Sequence, residues 1–78
     1  MWIRPFYGDK LINLNCAKEI FVEQRMHEDF EHFPYKWKVR AKFSAFTYYT
    51  IRGFNTKSEA TSYLNELLYE LDSRDRRE

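Results

Sequence analysis

Tyr35, Lys36, Trp37, Lys38, Val39, Arg40, Ala41, Lys42 and Phe43 alternate an apolar or aromatic residue with a cation at every step. Successive side chains on a strand point to opposite faces, so Tyr35, Trp37, Val39, Ala41 and Phe43 share one side and Lys36, Lys38, Arg40 and Lys42 the other. A helix would scatter both sets around its surface. The stretch therefore predicts a strand with one apolar and one basic face, and a fold in which another element covers the apolar side.

Downstream, residues 46–54 are rich in Thr, Tyr and Ile and read as a second strand paired with the first. No Asn-Gly or Asp-Gly fixes the turn between them. The cover follows. Thr56, Lys57, Ser58 and Glu59 form a capping box, in which the Thr oxygen accepts from an early helix N–H and the Glu carboxylate reaches back to the Thr56 N–H. Behind it, Ala60, Tyr63, Leu64, Leu67, Leu68 and Leu71 fall on one helical stripe opposite Asn65, Glu66 and Glu70. A helix over about residues 57–73 is expected to pack all six against the sheet, with a frayed tail over 74–78.

Upstream, residues 2–6 and 11–26 read as extended, with Tyr7, Gly8, Asp9 and Lys10 as the turn between them. Ile12 and Leu14 alternate cleanly but Ile20, Phe21 and Val22 do not, so a bend is expected around Cys16, Ala17 and Lys18. Residues 26–34 form a polar and aromatic connection, a loop or a short helical turn. Together these elements predict one α+β domain over residues 1–78: a small antiparallel sheet of three to four strands, lying within 2–54, against one C-terminal amphipathic helix.

A chain of 78 residues buries only about 60% of the surface its unfolded form exposes, so its core must be used efficiently. Seven Phe, six Tyr and two Trp meet that need, each able to bury roughly 150–250 Å². Thirteen Lys and Arg against twelve Asp and Glu leave a net charge of +1, so attraction to nucleic acid or membrane cannot come from total charge. The single Cys16 makes an internal disulfide impossible and favours a reducing compartment. No stretch approaches the roughly 20 apolar residues of a membrane span, and no signal-peptide pattern opens the chain. Cytoplasm is the expected location.

Catalytic chemistry finds little footing. His27, Glu28, Asp29, Phe30, Glu31 and His32 hold metal-ligand types, but the two His are five residues apart, which separates them by roughly 140° on a helix and places them on opposite faces of a strand. A solvated acidic loop is the simpler reading, and no metal is expected. Cys16 is expected to be a small buried apolar residue rather than a thiolate nucleophile. Gly8 and Gly53 lie too far apart for a phosphate-cradling loop. Gly53 suits a bulge or a close backbone approach. No enzyme activity and no cofactor are expected.

The opening Met1, Trp2, Ile3 and Arg4, the following Leu11, Ile12 and Asn13, and the closing Gly53, Phe54, Thr56, Glu59 and Ala60 with the Leu-bearing helix resemble a group of small proteins of Gram-positive bacteria and their mobile elements. The resemblance covers both ends. It implies a short antiparallel sheet ending in a helix and transfers no activity or site residue. Pro5, Phe6 and Tyr7 and residues 27–34 depart from the pattern.

The faces of the final hairpin depend on its register, because a slip of one residue exchanges them. A turn centred on Ser44 with an odd number of loop residues puts Trp37, Val39 and Ala41 on one face with Tyr49 and Ile51. The other register would put Arg52 beside Trp37 in the core, which burial cost disfavours. The first register gathers Lys36, Lys38, Arg40, Lys42, Phe46, Tyr48 and Arg52, with Thr50, on a solvent-facing basic and aromatic surface. These seven are the candidate partner-binding residues, although the same pattern also serves a merely solvated face whose lysines discourage edge pairing. The expected role is a small interaction module binding a protein partner or a second copy of itself. A weak nucleic-acid binder is the alternative.

Overall fold

A computed structural model describes residues 1–25 and 34–77, the last four of these by backbone alone. The fold is α+β. Strands β1 (Trp2–Ile3) and β2 (Ile12–Asn13) form a small antiparallel hairpin. A 3-10 turn over Leu14–Cys16 leads into β3 (Glu19–Gln24), followed by β4 (Trp37–Ser44), β5 (Thr47–Phe54) and helix α1 (Lys57–Arg77). The main sheet is antiparallel in the order β3-β4-β5, which makes the alternating stretch its central strand. The candidate His27 and His32 lie outside the described residues, as does the connection around them.

Period two does what the sequence predicts on β4. Val39 and Ala41 are fully buried beneath α1, Ile51 joins them from β5, and Trp37 and Tyr49 pack against that core half-buried. Ala60 and Leu67 close it from the helix, and Ile12 and Leu14 from the hairpin side. The helix begins as its capping box specifies, with Glu59 N–H donating to Thr56 Oγ1 at 3.2 Å. The Glu59 carboxylate accepts from the Thr56 hydroxyl at 3.0 Å instead of reaching the backbone. One helical expectation needs correction. Leu68 is 47% exposed, on the flank of the stripe rather than in its centre.

The expected turn between β1 and β2 is present, with Gly8 at φ +96°, a conformation that suits a residue without Cβ. The bend before β3 is the 3-10 turn, seeded by Asn13, whose side chain accepts from Asn15 N–H at 3.1 Å. Cys16 in that turn is exposed, not buried.

The final hairpin reaches the expected faces by an unexpected route. Ser44 pairs with Thr47 across a two-residue turn of Ala45 and Phe46. That turn alone would oppose odd with even positions. A register shift at Phe43 restores parity, so Lys42 faces Tyr48, Ala41 faces Tyr49 and Arg40 faces Thr50. A second shift leaves Ile51 over, and Val39 then faces Arg52, Lys38 faces Gly53 and Trp37 faces Phe54. Gly53, expected at a bulge or close approach, sits beside this shift, buried against Lys38.

Candidate interaction face

The outer side of the sheet, away from α1, gathers four of the seven candidate residues, and β3 decides their environment. Glu19, Phe21 and Glu23 stand opposite Lys42, Arg40 and Lys38 on the central strand. Of the seven predicted residues, Lys38, Arg40, Lys42 and Tyr48 come together. The Arg40 guanidinium lies over the Tyr48 ring, 5.0 Å from its centroid, and Lys42 Nζ lies 5.8 Å from the same ring. Phe21 meets Tyr48 edge to face at 6.4 Å. Phe21, Tyr48 and the two cations thus form one interleaved patch.

This patch is less basic and less open than the sequence predicts. Lys38 is only 4% exposed, with Nζ 3.9 Å from a Glu23 carboxylate oxygen. Arg40 Nη1 donates to the same Glu23 oxygen at 3.2 Å. Burial makes such pairing necessary, since an ammonium taken from water without an opposing charge is costly. Arg40 Nε is buried without a hydrogen-bond partner among the described residues.

The remaining three candidates are elsewhere. Lys36 is exposed just before β4, its carbonyl accepting from Arg25 N–H at 2.8 Å. Phe46 projects from the hairpin turn and is 96% exposed. Arg52 leaves the outer face altogether: the shift at Ile51 turns it toward the helix side, where its guanidinium lies 5.6 Å from the Phe54 ring and 5.4 Å from the Tyr63 ring. Burial raises the Tyr63 phenol above the ordinary tyrosine value, and the Arg52 charge and hydrogen bond pull it part of the way back.

Sequence reasoning missed Phe21, Glu19 and Glu23. The apolar run Ile20, Phe21, Val22 concealed a regular strand in which Ile20 and Val22 face the core while Phe21 faces out onto Tyr48. The available signal was the longer alternation, with Glu19, Phe21 and Glu23 on one parity and Ile20 and Val22 on the other.

Among the described residues, no three His, Cys, Asp or Glu side chains are grouped to hold a metal ion. No helix among them is long and apolar enough to cross a membrane. Compared with known proteins, the chain matches no family model, no curated protein and no solved structure.

Proposed function

We propose that the chain is a small non-enzymatic interaction module that docks on a protein partner through the outer face of its sheet, working in the cytoplasm as an accessory of the mobile-element kind its two ends resemble. The observation that carries this reading is the coexistence of exposed aromatic surface, Tyr48 and the protruding Phe46, with cations already matched by Glu23. Aromatic residues and Arg are favoured at protein interfaces, while free lysine charge is not. A nucleic-acid site would need cations available to neutralise phosphates. Here Lys38 is buried, Arg40 is held by Glu23 and Arg52 faces the helix side.

The test is capture from nuclease-treated lysate by the wild type and by a Phe46→Ser, Tyr48→Ala double variant, with circular dichroism confirming that both are folded. The reading expects a protein that the wild type retains and the folded variant loses. Equal capture by both, or a bound species that is nucleic acid, seen only when the nuclease is left out, would refute it.

A further inference from the structure

The two edges of the main sheet are treated differently. At the β5 edge, Phe6 N–H donates to Thr50 O at 2.7 Å, so the loop after β1 covers part of the strand. That edge also carries one of the two register shifts, with Ile51 as the extra residue of β5. Such devices protect an edge from pairing with another chain. β3, at the other edge, shows none of them among the described residues: it contains no proline and pairs with β4 over six residues without a shift. Among the described residues no strand lies beyond it.

The hydrogen-bond phase of that edge follows from its neighbour. Arg25 N–H donates to Lys36 O at 2.8 Å, so the two-residue period turns the backbone groups of Glu23, Phe21 and Glu19 toward β4. Those of Ile20, Val22 and Gln24 face away from it. Lys18 N–H reaches Lys42 O at 2.8 Å, one residue out of this register, and ends the ladder. On the helix side, the exposed Leu68 lies over the same edge, lining a shallow groove with Leu14, Ala17, Ile20 and Leu71.

We propose that β3 is a self-pairing edge, joining antiparallel to β3 of a second copy about a two-fold axis at Val22 to form a continuous six-stranded sheet. Three features select this occupant and register. An axis at Phe21 would oppose Glu19 to Glu23 of the other copy, and an axis at Glu23 would oppose that carboxylate to itself, both unfavourable. An axis at Val22 opposes Glu19 to Arg25 and pairs Ile20 with Gln24 and Val22 with Val22. It uses the outward backbone groups of all three residues in each copy. It also keeps both helices on one side, with the Leu68 flank of each turned toward the seam. The proposal takes up the self-binding that the sequence also led us to expect and goes beyond the proposed function, using a surface distinct from Phe46 and Tyr48, so either can fail without the other.

The experiment is sedimentation velocity over a concentration series, combined with oxidative cross-linking of single-cysteine variants made in a Cys16→Ser background. Opposed Cα atoms in a hydrogen-bonded pair are about 5.5 Å apart, within disulfide reach, whereas like positions offset by two residues lie beyond the limit of about 7 Å. Val22→Cys should therefore form a disulfide dimer, and Phe21→Cys and Glu23→Cys should not. Glu19→Lys, an exposed position, should weaken the dimer about tenfold by placing like charges across the seam twice, and adding Arg25→Glu should restore it. The Glu19→Lys arm stands even if a cysteine variant misfolds. A strictly monomeric chain at every concentration would overturn the proposal, and so would a dimer that cross-links through position 21 or 23 or tightens with Glu19→Lys.

Discussion

The two faces of the main sheet are made by the same three strands and solve opposite problems. Beneath α1, Val39, Ala41 and Ile51 are sealed by Ala60 and Leu67, and no charge is needed. On the outer face Lys38 is almost as deeply buried, but its surroundings are charged, with Glu23 shared between it and Arg40. Four cations in a row of sequence are therefore not four exposed cations in space. A strand's alternation fixes which residues share a face, whereas the neighbouring strand fixes whether that face is basic, neutral or closed.

This contrast can be broken most severely at the helix. Leu67→Ala should cost roughly 2–5 kcal/mol, a large share of the stability of so small a domain, whereas Leu68→Ala, one position on, should cost under about 1 kcal/mol. Urea unfolding of the two variants measures the difference. Equal costs would mean that the helix is rotated from the position described.

Next in size is the acid that neutralises the outer face. Glu23→Gln should destabilise by about 1–3 kcal/mol, because it withdraws the charge opposite a buried ammonium. Lys38→Met should stay within about 1 kcal/mol of the wild type, since an apolar side chain of similar length removes the need for pairing and Glu23 keeps Arg40. Chemical denaturation of both variants would sharpen the comparison. A harmless Glu23→Gln would show that Glu23 does not govern this face.

Tyr48→Ala removes an edge-to-face ring contact and two cation contacts at a partly exposed site and should cost about 0.5–1 kcal/mol, leaving the fold intact. Outright unfolding in a thermal melt would place Tyr48 in the core and reverse the hairpin register. The smallest effect is alkaline. Burial raises the Tyr63 phenol in the folded chain, so its contribution to stability is present below the unfolded tyrosine pKa of about 10 and is lost as pH rises through the higher folded value. Arg52→Gln should raise Tyr63 further, because Arg52 opposes the effect of burial. NMR titration of the Tyr63 ring would detect no change instead, if Arg52 lay on the other face.

Much of the fold was legible because its signals are local. The alternation of residues 35–43, the box at Thr56 and Glu59 and the leucine stripe each depend on near neighbours in sequence. The faces of Tyr49 and Ile51 were legible for a partly wrong reason: the turn is Ala45 and Phe46, not centred on Ser44, and the shift at Phe43 restores the parity. Arg52 was lost to the second shift, which Gly53 hints at without fixing which residue is left over. The candidate site was less legible than the core. Lys38 reads as solvent-facing by period, and only pairing with β3 brings Glu23 to it. Phe21 and Cys16 were misplaced because apolar runs and lone cysteines carry little information about facing.

The closed character of the outer face is tested most directly by lysine acetylation of the native protein, read site by site by mass spectrometry. Lys36 should be modified readily and Lys38 should remain unmodified until the chain is denatured. Modification of Lys38 at the rate of Lys36 in the folded protein would contradict this account, because the central strand would then present the open row of cations that its sequence suggests.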